Sequence, residues 1–209
     1  MFPSVPQGRS VPTGGRRATQ AVLCAAAAAL GREEQPEVYR HVHPHGRATA
    51  ILARSFAASV VGPTGRGPAL DEVELGAHLH DFGKYLIPKS LLLKPGPLDA
   101  EERAVVSLHP VYGAQVLCGM AGITETILRV VLFHHERWDG GGYPDGLQGT
   151  RIPLAARLVS IADVYTSLRA RRSYKPTLTK WEAAAEMVAM AGRELDPDLT
   201  SDFLEFVGI

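Results

Sequence analysis

Eight histidines fall into four groups along this 209-residue chain: His41, His43 and His45; His78 and His80; His109; and His134 with His135. Neutral imidazole is the commonest protein ligand for transition metals, so the neighbours of each group decide what it can do. His80 is followed by Asp81, then Phe82, Gly83 and Lys84. Adjacent residues on a helix point about 100° apart, but from a helix end both side chains can reach the same few ångströms. A carboxylate has two oxygens and can bridge two cations. Gly83 permits close approach or a sharp change of direction, and Lys84 brings a positive charge suited to a phosphate oxygen. His134-His135-Glu136 closes an apolar run and opens into a loop containing Gly140, Gly141, Gly142, Tyr143 and Pro144. Glycines of this kind let backbone approach a ligand, and Tyr143 offers a ring and a hydroxyl. Asp163 lies within the apolar stretch Leu158, Val159, Ile161, Ala162 and Val164. A carboxylate buried there needs a cation, a full set of donors or an arginine partner.

The elements that must position these groups read as helices throughout. Helices are expected over about 17–30, 33–40, from Pro44 to about Val61, from Leu70 to about Tyr85 with Pro88 ending it, from Leu98 towards Cys118, and from Gly122 to His135. Others are expected over Leu154–Arg171, Thr179–Arg193 and Pro197–Phe206. Acids in the first turn after Leu98 and Pro near helix starts support these boundaries. Residues 62–68 and Trp138–Gly149 read as loops, with a further short loop around Ser173–Pro176. No period-2 alternation and no internal repeat is found. The expected class is all-α: a single helical domain over 17–209, preceded by a Pro- and Gly-rich, disordered segment over 1–16.

Composition narrows the function classes. Lys plus Arg and Asp plus Glu number 22 each, for a formal net charge of zero, so no global field favours duplex DNA or an anionic membrane. An anionic substrate would have to be attracted locally. The apolar run Ala21–Leu30 is too short to span a bilayer, and no cleavage site supports a signal peptide. A cytoplasmic location is expected. Cys24 and Cys118 have no Cys-x-x-Cys partner and read as small buried hydrophobes. Trp181, Met187 and Met190 read as core.

Residues 45–198 resemble the HD-GYP subgroup of the HD phosphohydrolases. The resemblance rests on ordered motifs: His45; His80-Asp81 with Gly83-Lys84; Ile87-Pro88; Leu93-Lys94-Pro95-Gly96; and His109-Pro110 with Gly113. His134-His135-Glu136-Arg137-Trp138-Asp139-Gly140, Gly142-Tyr143-Pro144, Asp163, and Arg172 with Tyr174-Lys175 complete them. It implies a helical bundle of the HD-domain type around a buried multinuclear centre of two or three divalent metals, usually iron or manganese. Carried over by position, His45, His80, Asp81, His109, His134, His135 and Asp163 become ligands, with Asp81 bridging. Lys84, Tyr143, Arg172 and Lys175 match residues that hold the nucleotide.

The expected activity is hydrolysis of cyclic di-GMP to linear pGpG, to GMP, or to both. Two cations a few ångströms apart lower the pKa of a shared water and neutralise phosphodiester oxygens. Asp81 and Lys84 are the catalytic candidates, and Lys84, Arg172 and Lys175 would stabilise charge spreading in the transition state. The alternatives are an HD phosphohydrolase for another nucleotide and a cyclic-dinucleotide-binding signalling module. A homodimer or a separate regulatory protein is the expected macromolecular partner. Three positions depart from the family. His41 stands where members with a third metal carry a carboxylate, and is an additional ligand candidate. Thr166 stands where a second Asp is usual, which weakens support around the metals. Ser173 replaces a usual Pro.

Overall fold

A computed structural model describes residues 36–62, 67–170 and 177–209, without the side chains of residues 36 and 39–41. The expected disordered 1–16 segment, the helix over 17–30, Cys24 and the loop at Ser173–Pro176 lie outside the described residues.

Among the described residues every regular element is a helix: α1 (Pro36–Val61), α2 (Leu70–Leu79), α3 (Lys89–Leu92), α4 (Ala100–Val106), α5 (His109–Leu117), α6 (Glu125–Phe133), α7 (Leu154–Arg169), α8 (Lys180–Met190) and α9 (Pro197–Phe206). Short 3-10 turns cover Phe82–Leu86 and Gly149–Arg151. Polar side chains start several of them. Asp99 and Thr179 form reciprocal capping boxes with Glu102 and Glu182, and Asp196 accepts from the backbone N–H groups of Asp198 and Leu199. Each such cap satisfies donors that the first helical turn leaves free.

Two apolar clusters share α2 and α6. The larger gathers Phe56, Val73, Val130, Leu158, Ile161, Met187 and Phe203 from α1, α2, α6, α7, α8 and α9. Phe56 meets Phe203 edge to face at 5.0 Å between ring centroids. The smaller packs Leu79, Phe82, Leu117, Ile127 and Val131 beneath α5. The ends of α2 and α6 and the start of α5 therefore meet on the flank of α1 and α7.

Several boundaries differ from expectation. α1 runs unbroken from Pro36, with Pro44 inside it rather than at its start. One backbone hydrogen bond is forgone at Pro44, and packing against α2 and α7 carries the helix through. Gly46 permits that packing: a Cβ there would sit 2.7 Å from the His78 carbonyl oxygen. The helix expected to reach Tyr85 stops at Leu79, because the chain tightens at Asp81 (φ −92°, ψ 6°) into the 3-10 turn. The helix expected from Leu98 to Cys118 divides at Ser107 and Leu108, and Pro110 restarts it in the first turn of α5, where a missing N–H costs nothing. The helix expected from Gly122 begins after the cap Thr124. Cys118 is exposed, not buried, because Leu117 takes the core position at that end of α5. Trp181 is 60% exposed, whereas Met187 on the same helix is fully buried and Met190 packs at the edge of the core.

The tightest joint is Gly83 against α5. A Cβ on Gly83 would lie 1.8 Å from the His109 carbonyl oxygen and 2.6 Å from the Gly113 nitrogen. Both are backbone atoms, so relief requires moving the 3-10 turn or the helix. Gly83→Ala is expected to lower stability by about 3 kcal/mol, the upper range for overpacking, read from the urea midpoint. A midpoint equal to the wild type's would show that the joint is looser than this geometry.

Candidate metal centre

The break after α2 turns the Asp81 carboxylate back among the histidines. Its Oδ2 lies 3.5 Å from His80 Nε2, and its Oδ1 lies 3.3 Å from His109 Nε2 and 4.0 Å from His134 Nε2. The Nε2 atoms of His109 and His134 are 3.3 Å apart, and the His135 ring packs against both. On the other side His45 on α1 and Asp163 on α7 meet at 2.6 Å, and His80 Nε2 is 3.7 Å from the same Asp163 oxygen. Ligand-capable atoms gather as two groups, Asp81 with His109, His134 and His135, and Asp81 with His45 and His80. Asp81 belongs to both. All seven expected ligand residues are brought together, and Asp163 pairs with histidines rather than an arginine.

Hydrogen bonding decides which nitrogen faces the cluster. His80 Nδ1 donates to the Ala77 carbonyl (2.6 Å), His109 Nδ1 to that of Val106 (2.8 Å) and His134 Nδ1 to that of Val131 (2.9 Å). A carbonyl only accepts, so each Nδ1 carries the proton and each Nε2 presents a lone pair. The His109 and His134 lone pairs thus face each other with no proton between them. His80 Nε2 and Asp81 Oδ1 are buried without any hydrogen-bond partner. Orphaned buried acceptors are costly. A divalent cation answers every one of them, so the residues present fit a metal.

Charge states at His134, His135, Asp81 and Asp163 agree with that fit, whereas at His45 burial is outweighed by Asp163, which raises its pKa and holds it as the donor of their pair. Burial, with His135, His80 and His109 around it, holds His134 well below the ordinary imidazole range. His135 is pushed down to about 3, first by burial and then by His109. Burial resists ionisation of Asp81, but Lys84, His80 and His109 outweigh it and hold the carboxyl well below its usual range. Burial likewise opposes Asp163, and the hydrogen bond from His45 brings it down to about 2. Neutral imidazoles and ionised carboxylates are the ligand forms.

Lys84 Nζ lies 2.6 Å from Asp81 Oδ2. Tyr143 stacks on His135 with centroids 4.9 Å apart, and burial pushes its hydroxyl up to about 12 against a hydrogen bond with Ser107. Arg172 and Lys175 lie outside the described residues, as does the His41 side chain. His43 joins His78 in a separate pair at 3.1 Å. The Thr166 hydroxyl meets that of Thr49 at 3.0 Å and lies 2.9 Å from the Ala162 carbonyl, so it bonds within the helix packing rather than to a ligand. A cavity of about 880 Å³ opens onto His45, Asp81 and Lys84, within the size range of small-molecule sites.

Glu136 went unassigned in the sequence reading. It is 3% exposed, and its two oxygens accept the backbone N–H groups of Asp145 (2.8 Å) and Leu147 (2.9 Å). It therefore ties the loop that carries Tyr143 to the end of α6. Gly142 allows the loop to lie flat there, since a Cβ would meet the Arg137 nitrogen at 2.3 Å. The available signal was position: an acid directly after the paired histidines, before a glycine-rich loop rich in unpaired donors. Glu136→Ala is expected to cost about 2–4 kcal/mol, as two charge-assisted bonds imply, and to speed hydrogen exchange at Asp145 and Leu147. Unchanged protection at those two amides would refute the tether.

The HD domain family pattern matches residues 34–199. The chain is 38% identical over 195 residues to a cyclic di-GMP phosphodiesterase of Vibrio cholerae serotype O1, covering 90% of this chain and 40% of that protein. It is 41% identical over 136 residues to the 3'3'-cGAMP-specific phosphodiesterase 2 of the same organism, covering 65% of this chain and 26% of that one. It thus spans less than half the length of either relative. An HDG"Y"P protein from Bdellovibrio bacteriovorus shares its fold, with a TM-score of 0.65 at 20% identity over 91% of this chain and 62% of the other. With its helical bundle, its His80-Asp81 pair at a helix break and a family pattern spanning most of its length, the chain belongs to the HD domain family.

Proposed function

We propose that the chain is a divalent-metal-dependent phosphodiesterase that hydrolyses cyclic di-GMP to linear pGpG, to GMP, or to both. The observation that carries this reading is Asp81 standing between two groups of ligand atoms whose lone pairs converge unsatisfied. His45, His80, Asp81 and Asp163 would hold one cation, and Asp81, His109, His134 and His135 a second; His41 is the sequence candidate for a third. The mixture of imidazole and carboxylate suits iron or manganese. Such a pair supplies a water activated at neutral pH and neutralises phosphodiester oxygens.

The chain's own groups do the rest. Lys84 holds an ammonium at the cavity floor beside Asp81, placed for a phosphodiester oxygen. Cleavage expels the ribose 3′ oxygen and leaves a 5′ phosphate, so negative charge spreads as the bond breaks; fixed cations there act on the transition state. Tyr143, stacked on His135, brings a ring and a hydroxyl beside the ligand cluster. Arg172 and Lys175 are assigned to the nucleotide as well. The 3'3'-cGAMP-specific relative favours a second reading, in which the hybrid dinucleotide is the substrate.

Protein reconstituted anaerobically with iron(II) or manganese(II) is expected to convert cyclic di-GMP to pGpG or GMP, separated by chromatography. Asp81→Ala is expected to lose both product and bound metal. Full turnover by that variant would end the proposal. Chelation should lower the melting temperature, because a ligand at a hundred times its Kd adds about 2.7 kcal/mol to the folded state. A melting curve indifferent to metal would contradict the ligand assignment.

A further inference from the structure

One charged lining residue is not used by the proposed chemistry. Arg169 lines the same cavity as His45, Asp81 and Lys84. Arg169 lies six positions beyond Asp163 on α7, about 9 Å at the helical rise per residue. Leu52, Leu92, Leu98 and Tyr165 add apolar surface to the same lining. Lys84 and Arg169 are the cavity's Lys and Arg side chains among the described residues, and Asp81 engages Lys84.

Arg169 is held but not consumed. Its Nη1 donates to the Leu178 carbonyl at 2.6 Å, which anchors the guanidinium through one donor. Capping of that kind uses one of five donors. No carboxylate pairs with Arg169 among the described residues, in contrast to Arg54, Arg137 and Arg157. A planar fork of donors beside an apolar wall calls for a flat ligand with two acceptors on one edge. Guanine presents O6 and N7 in that arrangement. Adenine presents N7 beside an amino group, which a guanidinium cannot accept from. A cyclic dinucleotide keeps its phosphates in a compact ring and projects its bases outward. With one phosphodiester at Asp81, a base projecting into the same cavity would meet its apolar lining and Arg169.

We propose that Arg169 is a specificity-determining residue that reads the O6/N7 edge of a guanine in the cyclic dinucleotide. This rests on the phosphodiesterase reading and assigns its guanine preference to a residue. The fork, rather than its charge alone, is what discriminates.

The test uses the full chain and two variants, Arg169→Met and Arg169→Lys. Affinity for cyclic di-GMP and cyclic di-AMP is measured by calorimetry on metal-free protein, and kcat/KM for both on metal-loaded protein. Both variants should lose about tenfold to a hundredfold on cyclic di-GMP, the worth of one bidentate base contact, with cyclic di-AMP little changed. Equal losses on both substrates, or full rescue by lysine, would mean a phosphate contact and overturn the assignment. So would variants indistinguishable from wild type. A wild type that binds cyclic di-GMP selectively through Arg169 yet never cleaves it would leave the guanine site standing and remove the phosphodiesterase reading.

Discussion

Helix C-termini end in carbonyls with no partner of their own, and three of them lock imidazoles here. Ala77, Val106 and Val131 lie in the last turns of α2, α4 and α6, and each accepts from the Nδ1 of His80, His109 or His134. One bond does two jobs: it satisfies an orphan carbonyl of the helix end, and it turns Nε2 into an inward lone pair. The same ends carry the negative pole of the helix dipole, which favours a cation. The fold and the centre are therefore not separable. Moving a helix end by a fraction of a turn would both uncap it and rotate a ligand away.

This coupling explains why so much polarity is tolerated inside. His80, Asp81, His109 and His134 are all buried. Such groups cost several kcal/mol when unpaired. Lys84 offsets part of that for Asp81, and His45 does so for Asp163. The remaining frustration is concentrated at His80 Nε2 and Asp81 Oδ1. The apolar clusters on either side carry the stability that this centre withholds.

Much of the candidate site was legible because ligand chemistry lives in residue type and local order. His80-Asp81 was legible with Gly83-Lys84 beside it, the His134-His135 pair with the glycine loop after it, and Asp163 by its apolar company. The last helix, Pro197–Phe206, was readable from its proline start. What escaped depends on distant contacts. Nothing local stops a helix at Leu79; the approach of Gly83 to α5 does. Pro44 looked like a beginning because its missing N–H is usually placed there, and only packing keeps it interior. Cys118 and Trp181 were misplaced because an apolar neighbourhood does not fix which face of a helix a residue occupies. Glu136 acts through backbone N–H groups nine and eleven positions later, which a residue pattern does not display.

The contact between His45 and Asp163 spans 118 positions. Bringing chain ends that far apart into register costs closure entropy that grows only as the logarithm of the loop. A cation shared by those residues would therefore be a crosslink over most of the domain, one that needs no redox chemistry to open. It restrains the unfolded chain hardly at all, since its ligands disperse on unfolding. It would draw the first helix and the seventh together in the native state alone. The seam between α1 and α7, which also walls the cavity, would then be the part of the molecule whose rigidity follows occupancy of the centre.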